Sequence, residues 1–327
     1  MPTATKPKRT AQRAKAFPCT SIKGPPEARV YIGDCRDIIP TISDCQPTKE
    51  TGAGVVDLVF ADPPFNWNRA YDKWEDNMPR EDFLEFTYQW LNLCRIALRP
   101  GGAFWVNIPD DTAAEIVVHL KKEDDKNNQP GLEMINWCIW HYRFGQNTKS
   151  RFINSKVHAL YFVKPDPTGT FERTWDTSEI LEPTDRATTY FDPRTLSKRD
   201  GMPAGKRVPL DVWYGPYWGR IQGNNKERRH GHDNQLPEAY LERVILATSK
   251  PGDLVMDPFL GSGTTGVVAH ALNRRFIGTE FSKDNAARCI QRIKAGPVNL
   301  GKARGVSTAI HQARSTSEKT RQTFRNV

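Results

Sequence analysis

Leu254-Val255-Met256-Asp257-Pro258-Phe259-Leu260-Gly261-Ser262-Gly263-Thr264-Thr265-Gly266 decides the fold of this 327-residue chain. Its first three residues read as a buried strand, Gly261 to Thr265 as a tight turn, and the residues through Leu272 as the helix that the turn opens. Arg275-Phe276-Ile277-Gly278 is the next strand and ends just before Glu280. The same alternation runs upstream. Val55-Val56-Asp57-Leu58-Val59-Phe60 reads as a buried parallel strand leading into the turn Asp62-Pro63-Pro64-Phe65-Asn66. From Glu81 to Leu98, the residues Phe83, Leu84, Trp90, Leu91, Cys94 and Leu98 share one helical face, and Pro100-Gly101-Gly102 stops that helix before a strand over 103–108. Stretches 135–144 and 157–163 predict a hairpin on the sheet edge, and 236–248 a helix with Pro237 in its first turn. Strands alternating with helices predict an α/β fold with a doubly wound, mostly parallel sheet.

Between Lys164 and about Arg229 the texture changes to Pro, Thr, Asp and Arg without a sustained period, which predicts an insert in that sheet. The ends differ again. Residues 1–30 carry seven Lys/Arg against Glu27, and residues 294–327 carry seven against Glu318, while the whole chain is +9. The body between is therefore slightly acidic, and the pI of 9.2 belongs to the ends. With a mean hydropathy of −0.64, these features predict basic disordered tails over 1–29 and 295–327. They bracket a catalytic half over 30–164, an insert over 165–229 and a ligand-binding half over 230–294. Six scattered cysteines make neither a C-x-x-C pair nor a zinc spacing, so a disulfide framework and a metal centre are not expected. No apolar run spans a bilayer and no secretion signal opens the chain, so a cytoplasmic protein without membrane contact is expected.

Gly261-Ser-Gly263-Thr-Thr-Gly266 places bare backbone N–H groups at a helix start, where an anionic or polar ligand can approach closely. The pattern alone fits a dinucleotide site, with Glu280 positioned to hold a ribose, so an NAD-dependent dehydrogenase stays open at this point. It is not a P-loop, because no Lys stands at the phosphate position. Asp257-Pro258-Phe259 before the glycines, and Asp62-Pro63-Pro64-Phe65 at another strand end, have no part in hydride transfer.

This arrangement resembles the amino-methylating (N6-adenine or N4-cytosine) DNA methyltransferases. In particular it is similar to the β class, which places the catalytic segment first, target recognition in the middle and the cofactor loop last. The resemblance covers roughly residues 30–294. It implies a Rossmann-like S-adenosylmethionine-dependent methyltransferase fold with an inserted target-recognition region. Asp34 and Cys35, in Tyr31-Ile32-Gly33-Asp34-Cys35, then match the adenine-contacting element, Glu280 the ribose-holding acid, and His232 and Gln235 the element near the methionine part. The family commonly has Pro after that His, where Asp233 stands here. Asp257, Phe259, Gly261, Ser262, Gly263, Thr264 and Thr265 complete the implied cofactor set.

An exocyclic base amine is a weak nucleophile because its lone pair is delocalised into the ring. The Asp62 carboxylate and the Pro63 carbonyl can accept its two hydrogens and localise that pair, while Pro63 and Pro64 remove competing donors. The target nucleotide must leave the duplex, and Phe65, where the family more often has Tyr, would stack on it. Asp at the first position favours adenine over cytosine within the resembled family. Nine Lys/Arg (Arg194, Lys198, Arg199, Lys206, Arg207, Arg220, Lys226, Arg228, Arg229) against three acids make 194–229 the expected double-stranded DNA contact. Trp213, Tyr214, Tyr217 and Trp218 are expected to form a small core of the insert. A cognate restriction endonuclease, a homodimer, an N4-cytosine target and a catalytically silent DNA-binding relative remain open.

Overall fold

The computed structural model describes residues 16–68, 76–142, 148–184, 203–228 and 234–306. Its centre is a parallel set of five strands: β2 (Ala28–Ile32), β3 (Val56–Ala61), β4 (Leu98–Ile108), β10 (Leu254–Asp257) and β11 (Arg275–Glu280). In space they run β2-β11-β10-β3-β4. β10 therefore lies between a strand that follows it in sequence and one that precedes it by almost two hundred residues. β1 (Cys19–Ile22) closes one edge antiparallel to β2. On the other side β6 (Lys156–Val163) pairs antiparallel with both β4 and β5 (Glu133–His141), and the two-residue β9 (Val212–Trp213) runs parallel to β5.

The inner strands are buried on both faces. Leu58, Phe60 and Val255 point into one core, and Val56, Val59, Leu254 and Met256 into the other. The second face is covered by α1 (Cys35–Ile38), α2 (Arg80–Ala97) and α3 (Asp110–Lys121), with Phe83, Phe86, Trp90, Leu91 and Cys94 of α2 buried against the sheet. The first face is covered by α4 (Glu238–Thr248), α5 (Thr264–Ala271) and α6 (Lys283–Ala295). Every parallel strand thus ends on the same side, which puts Asp34, Asp62, Asp257 and Glu280 along one rim.

Several expectations need correction. β4 starts directly after α2, and Pro100-Gly101-Gly102 form an irregularity inside it: register passes from Val56↔Leu98 to Leu58↔Ala103. Gly101 takes a φ of 71°, and exchanges with Lys164 hold the bulge, Gly101 N–H to its carbonyl and its N–H to Gly102 O. The N-terminal tail is shorter than 1–29, since 19–22 pair with 28–31. The C-terminal tail begins later than 295, because residues 298–304 strap across α4. Every residue of α4 is buried, so its acids must find donors there: Glu238 accepts from Val298 and Asn299 N–H, and Glu242 from Gly301 N–H and Arg304 Nε. The aromatic residues of the insert do not make a core of their own. Trp213 and Trp218 are buried in the main core, with Trp213 5.8 Å from Trp105 and 5.4 Å from Tyr240, ring centre to ring centre. The remaining described part of the insert holds only the short pair β7 (Glu182–Pro183) and β8 (Lys206–Arg207).

Candidate active site

A single cleft runs along the carboxyl ends of the parallel strands, where the strand order reverses about β10. Its first wall is the glycine turn. Gly261 and Gly263 have φ of 52° and 83°, a region that L side chains avoid, and Gly263 is the N-cap of α5. A Cβ on Gly263 would lie 3.0 Å from Cys289 Sγ, so α6 closes the back of the turn. Glu280 ties turn to sheet: its Oε2 accepts from Gly261 N–H and its Oε1 from Ser282 N–H, each at 2.9 Å. Arg292 braces the other side, donating to Ser262 O at 3.0 Å and Thr264 Oγ1 at 2.8 Å. Thr265 is buried below. Asp257 is buried as well, accepts from Phe259 N–H, and is pushed up to about 7, first by desolvation and then by the charge of Glu280.

One strand further along the rim, Asp34 caps α1 and is held at two points by Arg36, Nη2 to Oδ2 at 2.7 Å and Nε to Oδ1 at 3.1 Å. Arg36 in turn lies over the Phe86 ring and donates to Gln89. Cys35 is buried, and desolvation raises its thiol far above the usual range, so it acts as packing rather than as a nucleophile. Phe259 meets Trp90 edge-on at 5.0 Å, giving the rim an apolar slot flanked by the Asp34 and Glu280 carboxylates. A glycine turn opening a helix, an aromatic slot and two carboxylates suit a nucleoside-bearing ligand with a cationic centre. No cluster of metal-ligating side chains occurs among the described residues.

The opposite wall is built from distant segments. Asp62 follows β3, and Asn107 near the end of β4 donates to its Oδ1 at 2.7 Å. Asn107 Oδ1 accepts in turn from the buried Tyr240 hydroxyl at 3.1 Å. Desolvation pushes Asp62 up to about 7; Asn107 opposes that shift, the Asp257 charge adds to it, and Arg220 opposes it. Pro63 and Pro64 also line the cleft, with no N–H to offer. Phe65 meets Trp67 edge-on at 5.4 Å. The turn is pinned by buried Asp76, which accepts from Asn66 and Trp67 N–H, and by a two-way exchange between Asn66 and Met78. Trp140, Tyr142, Arg220 and Asn234 complete this wall, with the Arg220 guanidinium over the Tyr142 ring and donating to Asn234 Oδ1.

Asp34, Cys35, Asp62, Pro63, Pro64, Phe65, Gln235, Asp257, Phe259, Gly261, Ser262, Thr264, Thr265 and Glu280 therefore meet in one cleft, and Gly263 shapes its turn. Gln235 presents less than its position implies, because its Nε2 is committed to Glu227 O at 2.6 Å. Of the expected DNA contacts, Arg220 lies in the cleft, Lys206 and Lys226 are exposed, and Arg207 and Arg228 are half-buried. His232, Arg194, Lys198, Arg199 and Arg229 lie outside the described residues. Asn107, Tyr240, Arg36 and Arg292 were missed by sequence reasoning: Asn107 and Tyr240 are isolated in apolar elements with no motif around them, Arg292 is one of several charged residues of α6, and Arg36 follows the Gly33-Asp34-Cys35 element directly, a signal that could have found it.

The DNA methylase family profile matches residues 56–290. The chain is 30% identical over 260 residues to the type II methyltransferase M.BamHI of Bacillus amyloliquefaciens, covering 77% of this chain and 54% of that protein. It is 29% identical over 247 residues to the DNA adenine methyltransferase YhdJ of Escherichia coli, covering 75% and 78%. Among solved structures, the cytosine-N4-specific PvuII DNA methyltransferase superposes with a TM-score of 0.55 at 15% identity, over 86% of this chain and 96% of that one. The M1.HpyAVI complex with S-adenosylmethionine gives 0.51 at 21% identity, over 81% and 98%.

Proposed function

This chain belongs to the DNA methylase family of S-adenosylmethionine-dependent amino-methyltransferases, and we propose that its target is the N6 amine of an adenine turned out of double-stranded DNA. The observation that carries the reading is the pairing, in one cleft, of an amine-accepting turn at Asp62-Pro63 with a glycine turn closed by Glu280. S-adenosylmethionine supplies a methyl group on a sulfonium. The bound cofactor would be held by Asp34 and Phe259 at its base, Glu280 at its ribose, and Gly261 to Thr265 with Asp257 toward its amino-acid end.

The remaining work falls to side chains. Asp62 and the Pro63 carbonyl accept the two amine hydrogens and aim the nitrogen lone pair, which is positioning rather than covalent catalysis. A carboxyl pushed up to about 7 is also a competent acceptor for the proton that the methylated nitrogen must lose. Asn107 and Tyr240 fix the Asp62 rotamer from behind, and Phe65 with Tyr142 offers π faces to the extruded base. Arg220, beside Asp62, favours its ionised form. Lys206 and Lys226, exposed, and Arg207 and Arg228, half-buried, would extend the DNA contact beyond the cleft, and Arg194, Lys198, Arg199 and Arg229 are proposed for DNA, and His232 for the cofactor, on their sequence position alone. The type II methyltransferases among the relatives favour a restriction endonuclease as functional partner, and adenine is favoured by Asp62 and by the likeness to the adenine methyltransferase YhdJ.

The test is incubation with unmethylated genomic DNA and methyl-labelled S-adenosylmethionine, followed by nucleoside chromatography. Label in N6-methyladenine is the expected result. Label in N4-methylcytosine would keep the amine chemistry and overturn the base.

A further inference from the structure

Phe152 is 97% exposed, the most exposed large apolar side chain among the described residues, and Ile153 beside it is 43% exposed. They sit in the connection between β5 and β6. Tyr142 and Val157, on either side of this connection, both line the cleft. Its base is pinned: Tyr142 N–H donates to Ser155 O at 2.9 Å, His141 Nδ1 lies 3.0 Å from the same oxygen, and Lys156 pairs with Asp110 at 2.5 Å. Thr148 Oγ1 bonds the Arg151 carbonyl and turns the chain just before Phe152. β6 is the second strand from β3, so the base of the connection stands about 10 Å from the Asp62 end of the sheet.

An apolar side chain so placed forgoes burial in the folded protein, and its surroundings say what covers it. Residues 148–156 carry Lys149, Arg151 and Lys156 and no acid. Lys149 and Arg151 are exposed, and neither has a carboxylate partner among the described residues. A second copy of the chain would set cation against cation across this loop. A nucleic-acid duplex instead offers phosphates to the two cations and a base stack to the ring.

We propose that Phe152 is a wedge that enters the base stack when the target nucleotide is turned out, with Lys149 and Arg151 holding the flanking phosphates. The proposal rests on the DNA-methyltransferase reading above and adds to it how the extruded state is held. Phe152 is thus a positioning residue, acting on the duplex and not on the amine.

The test compares a duplex whose target base is paired with one whose target is mispaired, where unpairing is already part-complete. Phe152→Ala should lower kcat/KM on the paired duplex by tenfold or more and on the mispaired duplex by less than threefold. It should leave cofactor affinity unchanged and abolish the brightening of 2-aminopurine at the target position. Phe152→Trp should restore both readouts. Wild-type rates on both duplexes in Phe152→Ala would overturn the wedge. An equal loss on both, accompanied by a change in oligomeric state, would overturn it in favour of an interface between copies. Failure of the wild-type chain to methylate either duplex would instead reject the reading on which the proposal rests.

Discussion

The two walls of the cleft are built in opposite ways. The glycine wall comes from one continuous β-α-β unit, residues 254–282, braced by Arg292 and Cys289 of the helix that follows, and its donors are backbone: Gly261 and Ser282 N–H to the Glu280 carboxylate, and Gly263 N–H to Leu260 O. The amine wall is assembled from side chains of segments far apart in sequence: Asp62, Asn107, Tyr142, Arg220 and Tyr240. A local wall tolerates little change at its glycines but depends on few outside partners. An assembled wall can be retuned one side chain at a time, which suits the side proposed to meet DNA.

Mutations should separate the walls. Asp62→Ala should cost about 10³-fold in kcat while leaving cofactor affinity within twofold, measured by single-turnover methylation and calorimetry. Retained methylation would remove Asp62 from the amine wall altogether. Gly263→Val should lose cofactor binding at its source and methyl transfer with it. Its side chain would press on Cys289 at a position the turn holds at a positive φ that valine disfavours, and circular dichroism should report an otherwise folded chain.

Asn107→Ala should cost about tenfold in kcat, and it should move the acid limb of the pH–rate profile upward. The direction follows from Asn107 donating to Asp62 and opposing the shift that desolvation imposes. In the unmutated enzyme that limb should fall near pH 7, activity rising as Asp62 ionises. Arg220→Gln should move the limb the same way but less, since its influence on Asp62 is only through charge.

The smallest effect concerns stability. A carboxyl whose folded pKa stands above its unfolded value binds its proton more tightly in the native state. The fold is then favoured below pH 4 by Asp62 and progressively loses that contribution as pH rises through about 7. Asp62→Asn keeps an oxygen to accept from Asn107 and removes the charge. It should raise Tm by about 2–4 °C at pH 8 and leave it nearly unchanged at pH 4. An equal shift at both values would mean that the charge is not the cause.

The contrast between walls also explains what could be read from the chain before its structure. Asp257 to Thr265 and Glu280 were legible because turn geometry demands glycine and the acid follows at a fixed strand length. Asp62 to Phe65 was legible because consecutive prolines after an apolar strand have few bland explanations. Asn107 was not, since one Asn inside Ala103–Ile108 looks like any strand polar residue until Tyr240 is brought behind it. Trp213 and Trp218 were visible as a cluster, but their membership of the main core depends on β9 joining β5, a two-residue pairing with no local signature. The strap over α4 escaped for a related reason. Basic composition at 294–327 describes solubility, whereas three of the groups held there are backbone N–H donors at Val298, Asn299 and Gly301, which composition does not register.

The pairing of β10 with β3 carries a consequence for how the chain is made. Leu254 N–H bonds the Asp57 carboxylate across 197 positions of sequence. On a ribosome adding 5–20 residues per second, β3 waits roughly 10–40 s for the neighbour that completes its inner edge. During that interval an apolar strand, Val56–Ala61, shows unpaired N–H and C=O groups to the cell. Low temperature during expression, or a chaperone that covers strand edges, should therefore raise soluble yield more than any change to the finished surface.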